Sequence, residues 1–233
     1  MTRNEQILQV LKVGDVILTD TKASWWNPLG YFYRVVRWYQ RQKYPDSKRT
    51  GDIHAMLVLE TDPVRVFSYE APCAVIKGFG LDSRTKYRIC RYLPADAFPL
   101  PEFGLLLREA AEHLKGRDYD YGQNIAILVK WLFPWSEMIG FRIFDRGRNW
   151  KVCSVGVHWC FLYWWRNYWR AAGRKGLLIK TEQDAIEWAK ELVNLPCDAR
   201  TYPRPLGKQP VELTCPATFA NHPDTFKVVW EET

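Results

Sequence analysis

Two apolar runs in the first third of the chain set its pattern. Gly51-Asp52-Ile53-His54-Ala55-Met56-Leu57-Val58-Leu59-Glu60 and Arg65-Val66-Phe67-Ser68-Tyr69-Glu70 are rich in β-branched and aromatic residues, and Thr61-Asp62-Pro63-Val64 separates them. That is the composition of two strands joined by a turn. Side chains alternate along a strand, so His54, Met56 and Val58 share one face of the first, and Val66, Ser68 and Glu70 one face of the second. An odd-length loop centred on Asp62 sets His54 opposite Glu70, with Cβ atoms roughly 5 Å apart. An even-length loop slips the register and puts them on opposite faces.

Ile7, Leu8 and Leu11 fall at helical spacing and predict a short helix over 4–12, ended by Gly14-Asp15. Val16-Ile17-Leu18 reads as a buried strand. Residues 20–50 read as irregular, with a helix over Tyr31–Gln42 that carries an aromatic face and an arginine face, then a polar loop to Gly51. Val75-Ile76 and Lys86–Tyr92 predict two more strands. The five strand segments imply an antiparallel sheet or small barrel in the first hundred residues.

Pro94–Pro101 is a proline-punctuated connector, and Glu102–Leu114 a helix stopped by Gly116. A second apolar helix follows over Asn124–Leu132, then a basic loop over 134–149. Val155–Trp169 is an aromatic helix, apolar on most sides and therefore expected to be central. Thr181-Glu182-Gln183-Asp184 caps a helix to about Asn194, a proline-rich tail covers Pro196–Pro210, and Phe226–Trp230 reads as a last strand. The expected class is α+β, one domain over 1–233, β-rich over 13–93, helical over 102–194, with a tail and last strand over 195–233.

Composition changes this picture in three respects. The net charge is +7 and the chain holds 12 Trp, which suits an anionic surface or polymer as partner, although the basic residues are scattered and equally read as a solubility surplus. The densest basic groups are Arg34–Lys48 and Arg142–Lys151. Cysteines at 73, 90, 153, 160, 197 and 215 form no CxxC pair and no zinc-ligand spacing, so free thiols and no cofactor are expected. The polar start, Met1-Thr2-Arg3-Asn4-Glu5-Gln6, is no secretory signal, and no apolar run reaches the roughly 18 residues of a membrane span. The expectation is cytoplasmic synthesis, with virion or wall association open.

Cys153 stands where a polar, basic loop gives way to an apolar helix. A thiol at a helix start gains from unpaired N–H groups and the helix dipole, which lower its pKa and could receive an oxyanion; a Cys beside Val and Trp also reads as a small core residue. His54 reads as a general base if Glu70 faces it, and otherwise as a satisfied strand histidine. His113 reads as surface, His222 as part of an Asn-His-Pro turn. His158 lies roughly 140° around a helix from Cys153, and with Cys160 makes only a weak metal suggestion. No glycine-rich phosphate loop, nucleophile elbow or His-Glu-x-x-His occurs.

Val13-Gly14-Asp15-Val16-Ile17-Leu18, Ile53-His54-Ala55-Met56-Leu57-Val58, Phe67-Ser68-Tyr69-Glu70-Ala71, Tyr119-Asp120-Tyr121, Val152-Cys153-Ser154 and Leu213-Thr214-Cys215-Pro216-Ala217-Thr218-Phe219 occur in that order. The order resembles the circularly permuted NlpC-type papain-like cysteine hydrolases, in the YiiX and lecithin-retinol-acyltransferase-like branch. The resemblance implies a sheet or barrel packed against helices, with Cys153 as nucleophile at a helix start, His54 as base and Glu70 as the orienting residue. The length of 20–50, the aromatic run 157–169 and the segment 170–210 depart from the family pattern.

The leading expectation is a thiol hydrolase acting on an amide through a thioester, on a peptide or cell-wall peptide. The aromatic helix and basic charge motivate a second, lipid acyl hydrolysis or transfer. A third is a binding protein that kept the fold without the activity. Interleaved aromatic and basic residues over 31–48 give the weakest reading, nucleic-acid binding, with no recognised module. The sequence leaves oligomeric state open.

Overall fold

The computed structural model describes residues 2–21, 28–70, 72–93, 101–119, 153–173, 204–208, 211 and 214–232. Its elements in chain order are α1 (Arg3–Val10), β1 (Val16–Thr21), α2 (Pro28–Lys43), β2 (His54–Thr61), β3 (Val64–Tyr69), β4 (Ala74–Gly78), β5 (Thr85–Tyr92), α3 (Pro101–Leu114), α4 (Cys153–Gly173), α5 (Pro216–Ala220) and β6 (Phe226–Glu231). The expected helices over 124–132 and 181–194, the basic loop 134–149, Asp120 and Tyr121, and most of the connector and tail lie outside the described residues.

The strands form one six-stranded antiparallel sheet in the order β4-β3-β2-β1-β5-β6. Its class, α+β, is the expected one. The last strand, distant in sequence, joins the edge of the sheet beside β5.

Strand alternation divides the core in two. Val16, Leu18, Ala55, Leu57, Leu59, Phe67, Tyr69 and Tyr92 turn to the face covered by α3 and α4, where Phe103, Leu107, Phe161 and Trp164 fill the space. Ile17, Met56, Val58, Val66, Tyr87 and Ile89 turn to the other face, against Ile7 and Leu11. The aromatic helix is central, as its all-round apolarity requires. Trp164 lies edge-on to Phe103 at 4.8 Å and to Tyr92 at 5.5 Å.

α4 comes close to the sheet because Gly156 has no side chain. A Cβ there would stand 2.6 Å from Tyr69 Cδ2, inside the contact distance of two carbons. Gly14 (φ +87°) meets the ring of Phe103 in the same way, and only glycine takes that backbone angle without cost. Asp15, next to it, is buried and holds Arg91 through two bonds, Nε–Oδ1 at 2.8 Å and Nη2–Oδ2 at 2.9 Å. The Gly14-Asp15 pair is thus architecture, tying β1 to β5.

The hairpin departs from expectation in an instructive way. Thr61 pairs with Val64, so the loop is the two residues Asp62-Pro63 and not an odd one. Between Val58↔Val66 and Glu60↔Arg65 the register shifts by one, leaving Leu59 as an extra residue on β2. This bulge cancels the even loop. Below it Met56 faces Ser68, and the same register carried two residues outward sets His54 against Glu70.

Candidate active site

His54 opens β2 and pairs with Thr19 of β1. The loop before it is fixed by Gln40 of α2, a fully buried side chain. Its Nε2 donates to Thr50 O (3.1 Å) and Asp52 O (2.6 Å), while its Oε1 accepts from the Ala217 N–H (2.7 Å). One amide thereby ties α2, the approach to His54 and the start of α5 together, and leaves none of its groups unsatisfied.

Glu70 follows β3 directly. Its Oε1 is 3.9 Å from His54 Nε2, too far for a hydrogen bond. The expected direct contact is replaced by a relay: Ser68 Oγ donates to Glu70 Oε1 (2.8 Å) and lies 2.7 Å from His54 Nε2. Lys77 of β4 reaches the same carboxylate oxygen at 2.5 Å. Partial burial works against ionising Glu70, but the bonds from Lys77 and Ser68 outweigh it and hold the carboxyl below its usual range.

Cys153 is the first residue of α4 and is 6% exposed. Backbone N–H groups of Ala55, Ser154 and Cys153 itself act on its sulfur in the direction that favours thiolate. Burial acts the other way and wins: the thiol is pushed up to about 11. The lowered pKa expected from the helix start is therefore overturned, because desolvation of a buried thiolate exceeds what a few N–H dipoles return.

The structure thus packs Cys153 in one buried cluster with Ala55, the neighbour of His54 in β2. Among the described residues no hydrogen bond joins the thiol to the ring. Ala55 turns toward α4 with Leu57 and Leu59, while the alternation of β2 gives His54 the sense of Met56 and Val58. The ring lies at the strand's end, with its side chain 24% exposed. Burial pushes the imidazole down to about 4; Glu70 pulls it up and Lys77 opposes that pull. At neutral pH the resting pair is thiol and neutral imidazole.

The other histidines take structural places. His158 is fully buried, with Nδ1 2.7 Å from Thr214 Oγ1 and Nε2 3.3 Å from Pro205 O. Ser154 Oγ donates to Thr214 O at 2.7 Å, so these two residues clamp the loop before α5 onto the first turn of α4. His113 is exposed, as expected, and stacks on Trp159 at 5.8 Å. His222 donates no side-chain bond to the site; its carbonyl accepts from the Thr225 and Phe226 N–H groups.

Ser68, Lys77 and the Ala55 N–H escaped the sequence reading. Ser68 left a signal, being a hydroxyl residue between Val66 and Glu70 on one face of the strand. Lys77 left none, since only the β3–β4 register, Val66↔Lys77, places it.

No family model matches the chain, and no curated protein matches it. A solved structure, the crystal structure of the metalloprotein yiiX from Escherichia coli O157:H7, is similar at 16% identity and a TM-score of 0.43, covering 95% of this chain and 97% of that one. Among the described residues of this chain no group of three or more His, Cys, Asp or Glu side chains could hold a metal ion, and no helix is long and apolar enough to cross a membrane.

Proposed function

We propose that the chain is a papain-like cysteine hydrolase that cleaves an amide bond, with Cys153 as nucleophile, His54 as base and Glu70 acting on His54 through Ser68. The observation that supports this reading is the packing of Cys153, at the head of α4, in one buried cluster with Ala55, the residue next to His54. A helix start supplies N–H groups for an oxyanion, and a relay of three polar side chains ends on the imidazole.

Because both partners rest neutral, proton transfer accompanies attack. The Cys153 sulfur forms a bond to the carbonyl carbon as its proton passes to His54. His54 returns that proton to the departing nitrogen as the C–N bond breaks, leaving a thioester. Water then attacks the thioester, giving one proton to His54, and the sulfur leaves as thiol on taking it back. A peptide or wall-peptide amide is the substrate class we favour. For the lipid-acyl alternative the +7 charge remains as motivation, while Phe161, Trp164 and Trp165 of α4 are core residues.

Two observations favour a second reading, a non-catalytic binding protein: Cys153 is sealed to 6% exposure, and β2 alternation gives His54 the sense of Met56 and Val58, away from the face on which Cys153 packs. Intact-mass analysis after exposure to a panel of peptide p-nitroanilides and muropeptide amides decides between them. The hydrolase reading expects a transient acyl adduct on Cys153 and p-nitroaniline or amine release that vanish in Cys153→Ala. Turnover unaffected by Cys153→Ala, or none with any amide, overturns it.

A further inference from the structure

The polar relay beside His54 has a proton arrangement that its chemistry dictates. Glu70 Oε1 receives two contacts, Lys77 Nζ at 2.5 Å and Ser68 Oγ at 2.8 Å. A carboxylate only accepts and an ammonium only donates. The single hydroxyl proton of Ser68 is therefore committed to Glu70, since the opposite orientation would set two lone pairs against each other. Ser68 is fully buried. What remains on Ser68 Oγ is acceptor capacity, and it faces His54 Nε2 at 2.7 Å. The ring nitrogen at that contact must carry the proton.

We propose that Ser68 is the positioning residue of the site: held by a Glu70 carboxylate pinned to Lys77, its hydroxyl fixes His54 as the Nε2–H tautomer and leaves Nδ1 as the basic nitrogen. The proposal rests on the reading of His54 as the base, yet the tautomer belongs to the folded chain and is measurable without substrate. Nδ1 has no hydrogen-bond partner among the described residues. Lys77 has a second effect. It occupies the oxygen nearest the imidazole, so the negative charge of Glu70 is shared between a cation on β4 and the ring. The charged groups acting on His54 are Glu70 and Lys77; on its other side Thr19 of β1 carries no charge. Lys77 therefore holds His54 less basic than a carboxylate alone would leave it.

The test is long-range 1H–15N NMR of the full-length chain labelled with 15N-histidine, with His54 assigned through His54→Gln. Wild type is expected to show Nε2 as the protonated, pyrrole-type nitrogen and Nδ1 as the unprotonated, pyridine-type one at neutral pH. Ser68→Ala should mix the tautomers, and Ser68→Thr, which keeps the hydroxyl, should restore the single one. Lys77→Met, a change at a half-exposed side chain, should keep the tautomer and move the His54 titration to higher pH. A wild-type Nδ1–H tautomer, or Ser68→Ala with the tautomer still pure, overturns the proposal; so does a His54 titration that does not move in Lys77→Met. With an amide that turns over, Ser68→Ala should lower kcat at least about tenfold with KM unchanged. The expected spectra without any turnover would sink the hydrolase reading alone. Cys153-dependent turnover with the wrong tautomer would sink this one alone.

Discussion

Cys153, the first residue of α4, packs in one buried cluster with Ala55, and that one relationship links the helix to the strand that begins with His54. It does not ionise the sulfur. With burial holding the thiol up at about 11, the thiolate fraction at pH 7 is on the order of one in ten thousand. Iodoacetamide at pH 7 should therefore modify the partly exposed Cys73 ahead of Cys90, Cys153, Cys160 and Cys215. The Cys153 rate should rise about tenfold per pH unit toward pH 11. Peptide mapping by mass spectrometry reads both. Preferential labelling of Cys153 at neutral pH would mean an ionised resting sulfur.

Acid should weaken the fold partly through His54. Its folded pKa, about 4, lies below the ordinary 6.5, so between those values the unfolded chain binds the extra proton. Stability is then fully present above about pH 6.5 and falls as pH drops toward 4. His158, also pushed down by burial, and His222 act in the same direction. Urea titrations across this window should show a positive slope of stability with pH. His54→Gln should reduce that slope by at most about 1.4 kcal/mol per pH unit; an unchanged slope would show that His54 titrates alike in both states.

Gly156→Ala should destabilise by about 1–3 kcal/mol, because the new methyl meets Tyr69 at 2.6 Å and must push α4 from the sheet. In thermal melts that is a fall in Tm of roughly 2–4 °C per kcal/mol for a chain of this size. A Tm equal to wild type would mean α4 has room to spare at its first turn.

Asp15→Ala should cost about 3–5 kcal/mol in denaturant unfolding, since it removes the carboxylate paired with a buried Arg91. Replacing both residues by apolar ones of similar volume should cost far less. The comparison separates the worth of the ion pair from the penalty of an orphaned charge.

Much of the scaffold was legible because alternation and helical spacing are local signals. The helix around Ile7 and Leu8, the β2 and β3 runs, Lys86–Tyr92, Glu102–Leu114 and Phe226–Trp230 all appear as the elements they predict, although the first helix ends at Val10, before Leu11. Cys153 at a helix start was legible from the change of composition around it. The ionisation of that thiol was not, since a helix dipole can be read from sequence but burial cannot. The interposed Ser68 was half legible: its face was known, its role was not, because a difference of one hydrogen-bond length between direct and relayed contact lies below what register alone resolves.

By itself, then, the chain's order of residues determined which segments are strands and helices, which strand faces are apolar, and that His54 and Glu70 share a face under one register and not the other. Tertiary structure decided the register. It did so through the unpaired Leu59, which absorbs the slip that the two-residue Asp62-Pro63 loop would otherwise impose. It also decided that Lys77 meets Glu70 and that Ala55 meets Cys153, because both contacts join segments whose proximity is set by packing across the sheet and not by any spacing along the chain.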